Sequence, residues 1–506
     1  MPIRRTHFAR SAALASCVAF AALSAAAFAN DLPPTPDSAA KLQAFFAAYL
    51  GKQAPVTVNP ADPGFWVAFD LAALTAPTKT AGFAFDPATL KSRVIEQNDG
   101  AWRVEFSSFP TLVAHIHAQD GGQPLDGTET IAVDGAKSQG LIDPAIGFWR
   151  TMSGEADSAK IEAKFPGIDE TVDVGSVKVS GTAKAGADGA VSALMTQTAA
   201  SANLKFDIDP KAIKTAKATA DAPAAADAQP YSVNVKTDQV SADVKLEGLK
   251  TRPLLDLWAF LVANPSRPEL AANEATFKSL LTAALANQTT AEETASLEKI
   301  AAEIPQGQVT IDSAKFGANG AIGPTAAFGE RFEANGLTLP PNLIPAPFAG
   351  FAPTSFAIGF RASGFDVAAA SAEAIADLHL AGDGPAITPE DAAKARAKLI
   401  GPDGIVIDIE PSHIAAPLLD ISFDGRIVYK GAKPTGKLTV HMRNFDKTQA
   451  ALKTLGPEVE KKIAPALAMA KGLAKTDGDG SLTWVGEIGA DGVMKVNGLP
   501  LGKAPI

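Results

Sequence analysis

ISFDGRIVYKGAKPTGKLTVHMRNFDKTQAALKTL, residues 421–455, decides the fold class. Ile421 and Phe423 alternate with Ser422 and Asp424, and Leu438 and Val440 alternate with Lys437, Thr439 and His441. Successive strand side chains point to opposite faces, so this period of two describes a sheet with one buried and one wet side. Between the two runs, Gly431 to Leu438 follows the spacing of a phosphate-binding loop until its last position, where Leu438 replaces the Ser or Thr that would hold magnesium. The residues after Lys437 alternate like a strand, whereas a phosphate cradle needs a helix N-terminus there. The segment therefore reads as a hairpin loop. At Asn444 the second strand gives way to a short helix, so the grammar is strand, turn, strand, helix.

The same grammar extends outward in both directions. Asp-Gly recurs at Asp99, Asp120, Asp126, Asp134, Asp188, Asp383, Asp403, Asp424, Asp477, Asp479 and Asp491. Gly tolerates positive φ and Asp hydrogen-bonds its own turn, so each pair signals a hairpin. Alternation recurs at 102–106, 173–183, 232–247, 307–315, 405–410 and 481–496. Caps mark helices at Thr35-Pro36, running to Leu50 with Leu42, Phe45, Phe46 and Tyr49 on one face, and at Thr388-Pro389, ending before Gly401. Pro253 and Pro268 open a helical block whose charged end reaches Ile304. Strand-to-helix joints occur at 205–215, 245–258 and 441–455 without a fixed period, and the alanine-rich stretch 211–229 reads as a solvated linker. The prediction is α+β: strand-rich, curved antiparallel sheets with several capped helices packed on them. Its regions are a signal peptide at 1–29, a strand-rich region at 30–250, the helical block at 251–304 and an α+β region at 305–506.

Arg4, Arg5 and Arg10 precede an apolar stretch from Ala12 to Phe28 that ends in Ala27-Phe28-Ala29. That is the pattern of a secretory signal cut after Ala29, and it places the protein in the periplasm. The sole cysteine, Cys17, follows Leu14-Ala15-Ser16 as a lipid-modified cysteine would. The apolar run continues well past it, which favours removal with the leader over a lipoprotein anchor. Without residues 1–29 the net charge moves from −10 to −13 and no cysteine remains, so neither disulfides nor thiolate chemistry is expected. The acidic balance argues against nucleic acid as a partner. No later apolar run is long enough to span a membrane once the signal is cut.

Motifs that carry chemistry are scarce. His115 and His117 share a strand face but lack a third metal ligand in sequence, and His379, His413 and His441 are isolated from one another. Asp477-Gly-Asp479-Gly puts Lys475 and Gly486 at the first and last ligand positions of a calcium loop, so it reads as a turn. Ser296-x-x-Lys299 lies in the charged helical segment without the companion motifs of penicillin-binding enzymes, and no Gly-x-Ser-x-Gly elbow occurs. No catalytic residue, metal or cofactor is assigned. The unusual stretch is LTLPPNLIPAPFAGFAPTSFAIGF, 337–360, in which large apolar residues sit among prolines that forbid helix and central strand alike. It reads first as an extended crossing segment pressed over a sheet, and in the sharper reading Phe348, Phe351 and Phe356 form an apolar lip that admits a lipid chain or touches a membrane.

Gly436 to Val440 running into Asn444, followed by the closing hairpin DGDGSLTWVGEIGADGVMKVNGLPLGKAP with its Asn497 to Leu501 tail, resembles a secreted, largely alphaproteobacterial family known only as a domain of unknown function. A looser likeness is to the AsmA-like envelope proteins. These resemblances, over about residues 355–506, imply a curved, strand-rich scaffold associated with lipid handling at the envelope, and they supply no catalytic residue. The expectation is an exported, periplasmic, non-enzymatic envelope protein that binds a lipid, another apolar small molecule or an envelope protein. The alternatives are a structural or protein-binding envelope factor and a hydrolase with a dispersed site.

Overall fold

Alternating strands joined by tight turns account for most of the chain in a computed structural model, which describes residues 31–51, 54–76, 82–120, 123–186, 188–210, 229–430, 433–454 and 456–503. The expected leader with Cys17 and nearly all of the expected linker at 211–229 lie outside these residues. The chain is strand-rich α+β and divides into two compact units, Met1–Leu280 with Ala302–Pro305, and Leu281–Ala301 with Gln306–Ile506.

The first unit opens with β1 (Val56–Pro60), β2 (Phe65–Asp70), β3 (Phe83–Phe85), β4 (Thr89–Glu96), β5 (Trp102–Phe106), β6 (Leu112–Asp120), β7 (Gln123–Asp134) and β8 (Lys137–Asp143). It continues through β9 (Phe148–Ala156), β10 (Ser158–Phe165), β11 (Ile168–Val174), β12 (Val177–Ala185), β13 (Val191–Ala199), β14 (Ala202–Ile208), β15 (Tyr231–Thr237) and β16 (Gln239–Leu249). Neighbours run β5-β8-β9-β12-β13-β16 in one layer and β6-β7-β10-β11-β14-β15 in the other. The layers are one sheet folded over. β7 bends into β8 at Gly135, β9 into β10 at Asp157, and β11 into β12 at Gly175, and the ladder continues through the corners. Asp157 N–H donates to Asp134 C=O at 2.9 Å, Gly175 N–H to Ser201 C=O at 2.9 Å, and Ala200 N–H to Ser176 C=O at 3.0 Å. Small residues make the crease possible: at Gly135 (φ +64°) a Cβ would lie 2.1 Å from the Asp157 carboxylate. Each expected strand at 173–183 and 232–247 is thus two legs of one bent strand.

Folding over closes the core. Leu112, Ile131, Val133, Ile161, Val177 and Val179 from the two layers are all buried against one another. Each such side chain contributes about 1.5–3 kcal/mol. Toward β2, β4 and β5 the inner face is closed by helix α1 (Pro36–Leu50), whose Leu42 packs on Phe65, Val67, Val94 and Val104. Thr35 and Ser38 form its capping box, with Ser38 N–H donating to Thr35 Oγ1 at 3.1 Å. Of the face expected for this helix, Leu42 and Phe46 pack inward while Phe45 is exposed.

The helical block breaks off early. Helices α2 (Leu71–Thr75), α3 (Thr251–Ala263), α4 (Arg267–Ala272) and α5 (Glu274–Leu285) form, but Thr289–Ile304 is β17, a strand of 16 residues. Its Ala, Glu, Leu and Lys content favours helix by at most about 0.7 kcal/mol per residue, a preference that ladder pairing overrides. Ser296 and Lys299 therefore lie on a strand, not on the helical segment expected.

The second unit is a meander. Its strands are β18 (Gly307–Ile322), β19 (Thr325–Asn335), β20 (Ser355–Asp366), β21 (Ile405–Ala416), β22 (Leu419–Lys430), β23 (Lys433–Arg443), β24 (Lys475–Thr476), β25 (Leu482–Ile488), β26 (Val493–Val496) and β27 (Leu499–Lys503). From β18 to β23 each pairs with the next, and β23 then pairs with β25. Helices α6 (Val367–Ala376) and α7 (Pro389–Lys398) interrupt the meander after β20, and α8 (Phe445–Lys453) and α9 (Pro457–Leu473) after β23. Two expectations need correcting here. Asp126-Gly127 and Asp424-Gly425 are interior to β7 and β22, not turns, because a Cβ would meet Phe165 at 2.2 Å and Lys437 C=O at 2.7 Å. Only the end of the stretch 337–360 becomes a central strand: beyond Pro353 no proline remains, and β20 pairs on both sides from Ser355, whereas the proline-rich part before it is the connection from β19.

Candidate functional site

The registers of the second unit place one residue type on one face. Phe316 lies beside Phe332, Phe332 beside Ile358, Phe356 beside Ile414, and Phe360 beside Ile409. Ile407 then pairs with Ile427, Ile421 with Met442, Phe423 with Val440, and Val440 with Trp484. Rings stack along it: Phe328 lies 5.9 Å from Phe365 and Phe332 5.6 Å from Phe356, centroid to centroid. The opposite face carries the charges. Arg361 is beside Asp408, Asp408 beside Arg426, Arg426 beside Lys437, and Lys437 beside Glu487, with Arg426 Nη1 at 3.5 Å from Asp408.

The apolar face is closed at one corner. There Phe445 of α8 and Leu467 of α9 cover Met442, Leu482 and Trp484, and the Trp484 indole N–H donates to Ala470 C=O at 2.7 Å. Over β19 and β20 it stays open: Phe328 is 48% exposed, Phe332 44%, Ile358 41% and Phe360 37%. Exposed large apolar residues sharing one sheet face mark interaction surfaces. Of the three residues read as a lip, Phe356 lies on this face, whereas Phe348 and Phe351 sit on a 3₁₀ turn, Ala346–Phe351, in the connection from β19 to β20. Phe348 is exposed, Phe351 is half-buried, and the neighbouring Gly350 C=O accepts from Leu418 N–H at the β21–β22 turn. The open face itself escaped sequence reading. Its signal is Phe-x-x-x-Phe at 328 and 332 in phase with Phe356, Ile358 and Phe360, interrupted by Glu330.

The polar face gathers a second group. His413, Ser422 and His441 lie in one cross-strand row that ends at Thr483, while His379 lies elsewhere, in the loop after α6. His441 Nδ1 is 2.7 Å from Thr483 Oγ1 and 3.7 Å from an Asp477 oxygen, and the Thr483 hydroxyl donates to Asp477. With its one proton committed to the carboxylate, Thr483 accepts from His441 Nδ1–H, so in the neutral ring Nε2 is the acceptor nitrogen. The Ser481 hydroxyl donates to Asp479 at 2.7 Å, and that bond holds the Asp479 carboxyl below its ordinary pKa. Asp477 N–H donates to Ser481 C=O at 2.9 Å, so the DGDG segment is a turn.

In the first unit, His115 Nε2 lies 2.9 Å from Asp86 and His117 Nδ1 2.9 Å from Asp126, two separate exposed pairs. Among the described residues no group of three or more His, Cys, Asp or Glu is arranged to hold a metal, and no helix is long and apolar enough to cross a membrane.

A family model described as an uncharacterized protein conserved in bacteria (DUF2125) matches residues 230–505, a span that includes the whole apolar face from β18 to β25. No curated protein and no solved structure matches the chain.

Proposed function

The chain belongs to this uncharacterized bacterial family, and from that premise we propose that it is an exported, periplasmic envelope protein, without catalytic activity, that binds a lipid or other apolar ligand on the open face of its second unit. The observation that carries the reading is the exposure of Phe328, Phe332, Ile358 and Phe360 on a face whose other end is covered by α8 and α9. Water against four large apolar side chains is unfavourable by about 25 cal/mol for each Å² that a ligand would cover. The leader pattern at 1–29 supports export, and the looser likeness to AsmA-like envelope proteins points to the same compartment and ligand class.

The experiment is intact mass spectrometry of the protein from its native envelope, first under nondenaturing conditions and then denatured. The reading expects a polypeptide starting at Asn30 with extra mass that is lost on denaturation. A bare mass in both states would turn the reading toward a structural or protein-binding envelope factor, and a diacylated chain starting at Cys17 would replace the soluble form with a tethered one. A second reading, a hydrolase with a dispersed site, is favoured by His441, whose Nε2 is the acceptor, standing across from Ser422. A Ser422-dependent hydrolysis of a short-chain nitrophenyl ester would establish it, and turnover unchanged in Ser422→Ala would dismiss it.

A further inference from the structure

One residue on the open face does not belong to an apolar surface. Among the register pairs from β18 to β23, the side chains sharing that face are Phe, Ile, Leu, Val, Met, Ala and Pro, with Gly, Ser412 and Tyr429; Glu330 is their sole charged member. It alternates with Phe328 and Phe332 along β19, and its cross-strand neighbours are Ala318 and Phe360. Asp312 shares the phase but lies beyond the end of the β18–β19 ladder, against Gly336. Of the cations of these strands, Lys315, Arg331, Arg361, Arg426, Lys430, Lys437 and Arg443 fall on the other face.

We infer that the ligand of this face is an acyl amphiphile whose head carries an ammonium group, held at Glu330, with its chain laid across the strands over Phe360, Ile409, Gly425 and Leu438. This inference rests on the binding function proposed above and names its ligand class. The row is set by register: Glu330 pairs with Phe360, Phe360 with Ile409, Ile409 with Gly425, and Gly425 with Leu438. Four inter-strand steps of about 4.8 Å make it about 19 Å long. A bilayer's hydrocarbon core is about 30 Å across two leaflets, so one chain needs about 15 Å, and the row accommodates it. An ammonium group on Glu330 would make charge-assisted hydrogen bonds, strengthened by the apolar residues around them. An anionic head would meet a carboxylate and no cation, so the same face discriminates against it.

The test uses the purified mature chain with three probes: neutral Nile red, dodecylamine and dodecanoate, the last two by calorimetric titration. Wild type is expected to bind Nile red saturably and to prefer dodecylamine to dodecanoate by about tenfold, which is about 1.4 kcal/mol. Glu330→Gln is expected to keep Nile red binding and lose the preference, and Glu330→Lys to reverse it. A preference that survives in Glu330→Gln, or equal binding of both amphiphiles by wild type, would overturn the ammonium assignment while leaving the apolar site intact. Failure of wild type to bind Nile red would overturn the underlying site as well. Retained Nile red binding in each variant shows that it has folded.

Discussion

The two units are built from the same element, a strand alternating apolar and polar side chains in an antiparallel meander, yet they treat their apolar faces in opposite ways. In the first unit Val177 is fully buried and Ile161 nearly so, because the sheet bends at Gly135, Asp157 and Gly175 and lies on itself. In the second unit the strands from β18 to β23 carry bulges between Ala326 and Phe328, between Ala357 and Phe360 and between Ile409 and Ser412, and Phe328, Phe332 and Phe360 stay open. Alternation therefore dictates which face is apolar. Whether that face becomes core or surface is decided by small residues at a crease.

The sharpest way to break this comparison is to truncate one side chain in each unit. Ile161→Ala is expected to cost about 2–5 kcal/mol in urea unfolding, and Phe332→Ala about 1 kcal/mol or less. Equal costs would mean that the open face is in fact packed. A smaller effect is expected at the crease: Gly135→Val forces a β-branched residue into φ +64° against Asp157 and should destabilise by about 1–2 kcal/mol, whereas Gly189→Val at an exposed turn with open space around it meets the φ cost without the clash and should lose less. The smallest lies at the surface. Arg150 holds the Asp99 carboxyl below its usual range, chiefly by a side-chain hydrogen bond, and Arg150 Nε also donates to Asp143 at 2.8 Å. A carboxyl with a depressed folded pKa stabilises above its unfolded value and loses that contribution as pH falls through the folded one. Asp99→Asn should therefore lower the melting temperature slightly at pH 7, in keeping with a solvent-exposed ion pair, and the gap should close below about pH 4. A gap that persists in acid would show that charge is not the cause, since the amide oxygen of the variant can still accept the Ala101 N–H.

Much of the fold was legible because its signals are local. The Thr35 cap, the turns at Asp188-Gly189 and Asp479-Gly480, and the strands at 102–106 and 437–441 follow from neighbours a few residues apart. The crease was not legible, since Leu112 and Ile131 meet Val177 only after the sheet has folded over. β17 was misread because composition outvoted pairing, and Asp424-Gly425 because a turn dipeptide also serves where a neighbouring strand leaves no room for a Cβ. At the candidate site, Phe356 was found by the density of phenylalanine in 337–360, but Phe328 and Phe332 lie outside that stretch, and their membership depends on register with β20. Glu330 looked like any strand charge until its phase placed it among them.

The meander has a consequence for how the molecule is assembled in time. From β18 to β23 consecutive strands pair, so the growing sheet always ends in an edge that the next strand in the chain fills. From β18 to β23 no strand must be threaded between two already in place. The entropy of loop closure is met one pairing at a time, the longest connection being the insertion of α6 and α7 between β20 and β21. A polypeptide that arrives N-terminus first can thus settle in the order in which it arrives, and the apolar face widens by one row of side chains with each hairpin.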